Sequence, residues 1–283
     1  MTLNDKLNNL KKILNDYGRI LIALSGGVDS TFLLAFSLKT LGQDNVLAVT
    51  ATGPHLAPDE ISYAAELCGK LGIEHSLLPM DHVMQVIAPN PVDRCYLCKK
   101  EIFSMLKEKA AASDCILADG TNLDDMDDYR PGHKALAELE VASPLKDAGL
   151  TKNDIRAALE ILADNDLKSA LTLNNGMPIW EKPAFACLAS RIPYGEVITA
   201  EKLTAVYNAE AFLRELGLTQ VRVRHHGDIA RIEVPSEDRH KFFDEKFMDM
   251  VNNKLKECGF KFAALDLGGY RMGGGFHNGK SIE

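Results

Sequence analysis

The stretch from Arg19 to Ser30, RILIALSGGVDS, and the apolar segment that follows it, TFLLAFSLKTLG, decide the fold. The first six residues form an almost unbroken apolar run, which is typical of a strand buried on both faces of a parallel sheet. The segment after Ser30 has a helix-like composition. A turn containing Gly26 and Gly27 is therefore predicted to join a buried strand to a helix.

A glycine turn at this point suits an anion. Two glycines let the backbone turn sharply and approach a ligand closely, and the next helix offers unpaired N–H groups at the positive end of its dipole. An acid beside phosphate indicates an intervening Mg²⁺, so Asp29 is a predicted Mg²⁺ ligand. The loop lacks the Gly-Lys-Ser/Thr of a Walker A motif, and an ordinary glycine-rich turn is the alternative. The predicted phosphate-binding residues are Ser25, Gly26, Gly27, Asp29 and Ser30.

Strands and helices alternate on both sides of this turn. Leucines at helical spacing predict an N-terminal amphipathic helix, and Pro58 is expected to open another helix that runs to about Leu71. Two further helices are predicted, one over residues 99–111 and one over IRAALEILAD, for which Thr151 with Asp154 is the expected cap. The remaining strands are predicted at residues 45–51, 73–78 and 115–118. This order predicts an α/β domain, residues 1–185, with a doubly wound parallel sheet.

The rest of the chain, residues 186–283, is predicted to form a smaller α+β domain. Its predicted elements are a helix over 200–216, strands over 220–224 and 229–234, a helix over 236–258 and a strand over 262–267. His225 and His226 are expected in an exposed turn.

Composition narrows the class of protein. The chain has 283 residues, 46% of them hydrophobic and 25% charged, which is typical of a globular protein. Its formal net charge of -8 argues against a nucleic-acid partner. There is no apolar run long enough for a membrane span and no signal-peptide pattern. We therefore expect a cytoplasmic protein with no membrane or nucleic-acid partner, and reduced cysteines.

The motif SGGVDS resembles the PP-loop, SGGxDS, of ATP pyrophosphatases. The resemblance implies that the loop binds the β,γ-pyrophosphate of ATP and that AMP is transferred to a substrate. Ligands of α/β sheets bind beyond the carboxyl ends of the strands. Thr50, at the end of the second strand, and Gly120 and Thr121, after the fourth, are therefore expected to complete the ATP site.

An acidic segment, ADGTNLDDMDDYRPG, covers residues 118–132. Its carboxylates are candidates to hold Mg²⁺ or to orient Arg130 on a phosphate, and a solvated loop is the alternative. This segment, together with GLTKNDIR (149–156), KPAFACLASRIPYGEVIT (182–199) and VRVRHHGDIARIEV (221–234), resembles the LarE family of ATP-dependent sulfur transferases. With SGGVDS, the resemblance runs along nearly the whole chain, although residues 159–180 form a longer stretch than the family pattern has.

The resemblance implies a function. A carboxylate of pyridinium-3,5-biscarboxylic acid mononucleotide is adenylated and converted to a thiocarboxylate, with release of AMP and pyrophosphate. ATP and Mg²⁺ are the implied cofactors, a small-molecule nucleotide is the implied substrate, and the implied assembly is a homo-hexamer.

Cysteines are the implied sulfur source. Cys187, in PAFACLASR, corresponds to the family cysteine that gives up its own sulfur and becomes dehydroalanine. Cys95 and Cys98 form a CxxC pair that, with Cys187, supplies three ligands for a [4Fe-4S] cluster, as in the family members that bear a cluster. A zinc site with a histidine, a redox pair and an inert pair remain alternatives; the pair is not expected to open a helix after a strand, as a thioredoxin-like pair does.

Charged residues near Cys187 complete the candidate site. Arg222 and Arg224 alternate along a predicted strand and are expected to clamp a phosphate or carboxylate of the substrate. Surface ion pairs are the alternative for the arginines, and a solvated helix face is the alternative for Glu210. The predicted catalytic residues are Cys187, Asp29, Ser190, Arg191 and Glu210. The predicted substrate-binding residues are Arg222, Arg224, Arg130 and Asp128.

Other functions remain open on the sequence alone. A PP-loop enzyme that thiolates tRNA shares the cysteine chemistry, but the acidic charge disfavours it. An ammonia-dependent amide-forming synthetase would need neither Cys187 nor the CxxC pair. A non-catalytic nucleotide sensor would bind ATP without releasing pyrophosphate.

Overall fold

The computed structural model describes residues 1–126, 131–163, 167–183 and 185–270. The chain forms two compact units. The first contains Met1–Val86 and Asp93–Phe185, and the second contains Ile87–Val92 and the chain from Ala186 onwards. No helix in the described ranges combines the length and apolar character needed to cross a lipid bilayer.

The first unit is built from alternating helices and strands. In chain order, they are α1 (Leu3–Tyr17), β1 (Ile20–Ala23), α2 (Val28–Leu41), β2 (Val46–Thr52), α3 (Pro58–Leu71), β3 (Glu74–Pro79), α4 (Val83–Ile87), α5 (Arg94–Ala112), β4 (Ile116–Ala118), α6 (Pro131–Glu138), α7 (Pro144–Asp147) and α8 (Lys152–Leu162). Thr151 caps α8 in the predicted manner, because its hydroxyl accepts a hydrogen bond from the Asp154 N–H at 3.2 Å.

The strands of this unit confirm the predicted sheet. Among the described residues they form a four-stranded sheet of order β3-β2-β1-β4, and every pairing is parallel. Ile20 and Ile22 of β1 pack in one core cluster with Phe32, whereas Leu21 packs in another with Phe103. Side chains alternate between the two faces of a strand, so helices cover both faces and the fold is doubly wound.

Residues 167–180, which follow α8 in the described chain, pack against the core of the first unit. After α8, Leu171 and Ile179 are fully buried, and they pack in the same cluster as Phe32. The Leu173 N–H donates to the Met177 carbonyl at 2.9 Å, and Gly176 takes a positive φ of 83° in the turn between them. The described part of this segment therefore adds Leu171 and Ile179 to the core of the first unit.

The CxxC pair lies at the start of a helix. The prediction began this helix at Lys99, but α5 begins at Arg94, because no glycine or proline follows Pro91 until the helix is complete. Cys95 and Cys98 are therefore helical, which the sequence reading did not expect. The element before α5 is the helix α4 and not a strand, so the thioredoxin-like arrangement is absent from this part of the described chain.

The second unit contains α9 (Ala200–Glu215), β5 (Arg222–His226), β6 (Ile229–Glu233), α10 (Glu245–Glu257) and β7 (Phe262–Leu265). In the described part of this unit the sheet order is β5-β6-β7, with β5 antiparallel and β7 parallel to β6. Asn90 joins the segment Ile87–Val92 to this unit, because its side-chain amide donates to the Pro193 carbonyl at 2.6 Å.

Two predictions about this unit are wrong. The helix expected over residues 236–258 is interrupted: a 3₁₀ helix spans Ser236–Phe243, and Asp244 then caps α10 by accepting the Phe247 N–H at 2.8 Å. The histidines expected in an exposed turn instead lie in β5, where His225 is buried and His226 is half-buried. The turn comes later, at Gly227, which takes a φ of 58°.

Candidate active site

The loop between β1 and α2 has the conformation that its glycines permit. Gly26 takes a φ of 77°, and a Cβ at this position would collide with the Glu60 carbonyl oxygen. Hydroxyls brace the turn: Ser25 Oγ lies 3.0 Å from Ser30 Oγ and accepts the Gly27 N–H at 3.3 Å. The predicted loop therefore lies at the carboxyl end of a central strand, with its backbone fixed by its own side chains.

Asp29, in the first turn of α2, lies among buried polar groups. The Asn122 side-chain amide donates to its carboxylate at 3.1 Å. Burial and the nearby charge of Asp125 raise the pKa of Asp29 to about 6, although Lys152 opposes this shift. A cation beside this carboxylate would lower its pKa, and the role of Asp29 as a Mg²⁺ ligand stays a prediction.

This pKa predicts a stability change. The pKa of Asp29 is higher in the folded than in the unfolded chain, so the folded protein binds this proton more tightly. The free energy of unfolding therefore falls as the pH rises from about 4 to about 6. Ionised Asp29 then costs up to about 3 kcal/mol above this window. We expect Asp29→Asn to raise the melting temperature at pH 8 in the absence of Mg²⁺, but not at pH 4. Thermal unfolding at both pH values measures this.

The control for the Asp29 variant is Asp16→Asn, which removes an exposed carboxylate of α1. A melting temperature for Asp29→Asn at or below that of the wild type at pH 8 would contradict the expected cost.

The end of β4 lies directly against the loop. A Cβ on Gly120 would be 2.8 Å from the Ser30 backbone nitrogen. The Thr121 hydroxyl donates to Asp119, which also accepts the Ser143 hydroxyl at 2.7 Å. Thr50, at the end of β2, is buried, and its hydroxyl donates to the Leu24 carbonyl at 2.8 Å. The structure thus brings Gly120 to the loop, while the hydroxyls of Thr50 and Thr121 bind protein groups.

The close approach of Gly120 predicts that Gly120→Ala displaces the start of α2. We expect a loss of about 1–3 kcal/mol of stability, together with weaker binding of Mg·ATP. Gly69→Ala is the matched control, because a Cβ at Gly69 meets nothing within 4 Å and alanine is favoured over glycine inside helix α3. Thermal unfolding and calorimetric titration with Mg·ATP measure both effects. Equal stability and equal ATP affinity for the two variants would contradict the steric argument.

The acidic segment after β4 serves the structure of the first unit. Asp124 accepts the Lys152 backbone N–H at 2.9 Å, and Asp125, which is buried, pairs with the Lys152 ammonium at 3.0 Å. A solvated loop is therefore the wrong interpretation for these carboxylates. Asp128 and Arg130, both predicted to bind substrate, lie outside the described residues.

The cysteines of the CxxC pair lie one helical turn apart in α5. Cys95 is exposed and Cys98 is half-buried. Cys98 Sγ lies 3.6 Å from Nε2 of His55, a fully buried side chain whose pKa burial lowers to about 4. No group of three or more His, Cys, Asp or Glu side chains is gathered around a common point within the described ranges.

In the second unit, Arg191 holds the backbone around Cys187. Its guanidinium is fully buried and pairs with both carboxylate oxygens of Glu210, at 2.8 and 3.0 Å. The remaining nitrogen donates to the Ala186 carbonyl at 2.7 Å, the Cys187 carbonyl at 3.2 Å and the Ser190 hydroxyl at 2.9 Å. Cys187 itself is exposed. The structure thus presents the thiol at the surface of a rigid segment.

The two strand arginines extend this network. Arg224 pairs with Glu233 through two hydrogen bonds of 3.1 and 3.0 Å and donates to the Ser190 carbonyl at 2.9 Å. Arg222 is also buried, and burial lowers its pKa. The alternatives of surface ion pairs and a solvated face are therefore wrong for Arg222, Arg224 and Glu210.

Sequence reasoning missed several partners of these residues. Glu233 stands opposite Arg222 in the antiparallel register of β5 and β6 and pairs with Arg224, its diagonal neighbour. The charges that alternate along both strands were an available signal for such a cross-strand pair. Lys182 and Glu60 contact the loop between β1 and α2, residues 25–30, called here the phosphate loop. The sequence holds no local indication of these contacts, because they join distant parts of the chain.

Comparison with known proteins completes the description. The family described as NAD synthase matches residues 2–110, from α1 through most of α5. The pyridinium-3,5-bisthiocarboxylic acid mononucleotide synthase of Lactiplantibacillus plantarum is 38% identical over 96% of this chain and 94% of that protein.

Two further relatives differ in how much of the chain they match. An uncharacterized Synechocystis protein, slr1717, is 39% identical over 96% of this chain and 97% of its own. The NH(3)-dependent NAD(+) synthetase of Methanoregula boonei is 33% identical over only 25% of this chain and 29% of its own. With 38% identity to the Lactiplantibacillus synthase along nearly the full length of both proteins, the chain belongs to the LarE family of PP-loop ATP pyrophosphatases.

Proposed function

We propose that this protein is an ATP-dependent sulfur transferase that adenylates a carboxylate of pyridinium-3,5-biscarboxylic acid mononucleotide and converts it to a thiocarboxylate. The observation that carries the proposal is the 38% identity, over 96% of the chain, to a pyridinium-3,5-bisthiocarboxylic acid mononucleotide synthase. The first unit activates the carboxylate, and the second unit carries the sulfur residue and binds the substrate.

The activation step uses the loop of the first unit. A carboxylate oxygen of the substrate attacks the α-phosphorus of ATP, and the bond from that phosphorus to the bridging oxygen breaks, which releases pyrophosphate. The loop residues Ser25, Gly26, Gly27 and Ser30 bind the pyrophosphate through backbone N–H and hydroxyl groups. Asp29 would hold Mg²⁺, which would supply positive charge to the phosphates. Thr50, Gly120 and Thr121 shape the rest of the ATP site at the same sheet edge.

The sulfur step uses Cys187. Its thiolate attacks the acyl carbon of the adenylate and AMP leaves, so a thioester links substrate and enzyme. Removal of the Cys187 α-proton then breaks the Cβ–S bond, which releases the thiocarboxylate and leaves dehydroalanine. In this route each chain supplies one sulfur atom. Arg191, Ser190 and Glu210 hold the Cys187 segment, as the hydrogen bonds to the Ala186 and Cys187 carbonyls support.

A second sulfur source is a [4Fe-4S] cluster on Cys95, Cys98 and Cys187. The proposal rests on the resemblance to cluster-bearing family members and on donor chemistry, since three thiolates suit a cluster and Cys95 and Cys98 lie one turn apart on α5. When bound, a cluster with only three protein ligands would supply a place for an extra sulfide that could be transferred. The three cysteines would hold the cluster.

Two measurements distinguish the sulfur sources. Iron and acid-labile sulfide contents, with the visible absorption spectrum of anaerobically purified protein, report the cluster directly. Intact-protein mass after one turnover reports the sacrificial route through the loss of one H₂S per chain. If the cluster supplies the sulfur, Cys95→Ser should remove the iron. If Cys187 supplies the sulfur, Cys95→Ser should leave the mass loss unchanged.

The substrate anion is the proposed ligand of the second unit. Arg222 and Arg224 are the proposed ligands of a phosphate or carboxylate of the substrate. Because Glu233 already pairs with Arg224, this role requires the substrate anion to share or displace that carboxylate. Arg130 and Asp128 are proposed to act from the acidic segment. We also propose a cytoplasmic location. The proposed assembly is a homo-hexamer, and light scattering in solution tests its molar mass.

One competing function has an observation in its favour. The match to the NAD synthase family favours an ammonia-dependent amide-forming synthetase. That match ends at residue 110 and does not include Cys187.

The proposed function is tested by anaerobic turnover with ATP, Mg²⁺, a sulfide source and the biscarboxylic nucleotide, read by mass spectrometry. The expected product gains sulfur in place of one carboxylate oxygen. Replacing the sulfide source with ammonia, or the nucleotide with tRNA, tests the competitors. An amide product, or pyrophosphate release that needs tRNA, would reject the proposal.

A further inference from the structure

Lys182 makes a contact with the phosphate loop that the function described above does not use. Its ammonium donates to the Gly26 carbonyl oxygen at 2.9 Å, although the two residues are 156 positions apart. The same ammonium pairs with Glu60 Oε1 at 2.7 Å. Both side chains of this pair are mostly buried, with 15% and 16% of their surfaces exposed. Because the Lys182–Glu60 pair is largely shielded from solvent, its side chains are held in one arrangement.

The surroundings of Lys182 fix it in place. Its ammonium lies 5.1 Å from the centre of the Tyr63 ring, within the range of a cation–π contact. The guanidinium of Arg156 donates to the Lys182 carbonyl at 2.9 Å and to the Trp180 carbonyl. Backbone and side chain of Lys182 are therefore both held by residues of the first unit.

The bonded carbonyl determines where the next N–H points. A trans peptide directs its carbonyl and its N–H to opposite sides. With the Gly26 carbonyl turned towards Lys182, the Gly27 N–H is turned away from the lysine, into the loop. A peptide between two glycines can rotate at little steric cost, because neither residue has a Cβ. Within the loop, the Gly27 N–H donates to Ser25 Oγ over 3.3 Å, which is longer than an ordinary N–H···O hydrogen bond. The shorter, charged contact from Lys182 at 2.9 Å holds the same peptide from its carbonyl side.

The orientation matters for an anion. An N–H that faces a phosphate attracts it, whereas a carbonyl oxygen in the same place repels it. We infer that Lys182 is a positioning residue that fixes the Gly26–Gly27 peptide so that its N–H faces the pyrophosphate part of ATP. This inference rests on the loop binding ATP, which is part of the proposed function, but it does not depend on the identity of the carboxylate substrate.

The test compares ligands with and without the β- and γ-phosphates. Calorimetric titrations measure Mg·ATP, Mg·pyrophosphate and AMP against the wild type and Lys182→Met. Loss of a hydrogen bond from a charged donor predicts about 10-fold or greater weakening for ATP and pyrophosphate. The affinity for AMP should stay within about twofold, because AMP lacks the group that the loop binds. Lys182→Arg should restore most of the lost affinity.

Two controls separate this role from a general loss of structure. Lys70→Met removes an exposed lysine that pairs with Glu66, one turn away in α3. This variant should leave all three affinities unchanged. Glu60→Gln keeps the bond from Lys182 to the Gly26 carbonyl, so its ATP affinity should also be preserved.

Unchanged ATP affinity in Lys182→Met, or equal losses for ATP and AMP, would overturn the inference. A 10-fold loss in Glu60→Gln would also overturn it, because the ion pair would then matter and not the peptide contact. Because no titration contains the pyridinium nucleotide, failure of that substrate in turnover leaves this result intact and is recognised separately.

Discussion

Cys187→Ala stops thiocarboxylate formation, by at least about 1000-fold, while AMP and pyrophosphate are still produced. The reason is chemical: in the proposed mechanism ATP activates the carboxylate in the first unit, whereas the sulfur comes through the Cys187 thiolate, as nucleophile or as cluster ligand. Alanine removes the sulfur but keeps the segment, because Arg191 binds the backbone carbonyls of residues 186 and 187 and not the thiol. Pyrophosphate release and product mass, followed in the same reaction, separate the two steps.

Cys258→Ala is the matched control for this experiment. Cys258 follows α10 in the same unit and is half-buried, so its removal should leave both steps unchanged. Thiocarboxylate formed by Cys187→Ala at the wild-type rate would show that another group delivers the sulfur.

Glu210→Ala lowers the free energy of unfolding by about 3–5 kcal/mol, the cost of leaving a buried charge without its partner. Glu210 and Arg191 both have fully buried side chains. Glu210 also accepts the Val223 N–H at 3.0 Å and lies 3.7 Å from the Arg214 guanidinium. Its loss therefore leaves the Arg191 charge buried without a bidentate partner. Chemical denaturation with urea measures the change.

An exposed pair in the same unit is the control. Lys254 and Glu257 pair at 3.0 Å with 42% and 67% of their side chains exposed, so Glu257→Ala should change stability by less than about 1 kcal/mol. The double variant Arg191→Met, Glu210→Met should be less destabilised than the sum of its single variants, because no charge is left alone. A cost below about 1 kcal/mol for Glu210→Ala would contradict the account of this buried pair.

The sheet domain was largely predictable from local pattern. The run Ile20–Ala23 is apolar on both faces, so it could only be a buried strand, and Gly26 followed by a helix defined the turn. Pro58 and Thr151 gave the starts of α3 and α8, because proline and a capping hydroxyl act on their immediate neighbours. These features depend on residues close together in the chain, which a sequence displays directly.

The burial of charges was not predictable in this way. Arg191, Glu210 and Arg224 look like surface residues, since charged side chains are rarely buried without partners. Their partners lie on other elements: Glu210 is in α9, and Glu233 is in β6. These pairings arise from the register of β5 and β6 and from the path of the chain between elements, which a single sequence does not display.

Two helix boundaries were also not predictable, because the same residues are compatible with a helix interior and with a helix start or a loop. Asp244 is compatible with a helix interior, but its carboxylate accepts a backbone N–H and starts α10 anew. Residues 94–98 are compatible with either a loop or a helix, and the structure extends α5 back to include Cys95 and Cys98. Whether these two cysteines share a cluster with Cys187 stays a prediction that iron analysis tests.

The central claim is that ATP activates the substrate by forming an acyl-adenylate, and isotope transfer tests it most directly. The substrate is prepared with ¹⁸O in its carboxylates and turned over with unlabelled ATP, and the AMP is analysed by mass spectrometry. Attack of the carboxylate on the α-phosphorus predicts AMP that carries one ¹⁸O atom and pyrophosphate that carries none. Unlabelled AMP, or ¹⁸O in the pyrophosphate or in inorganic phosphate, would contradict the account.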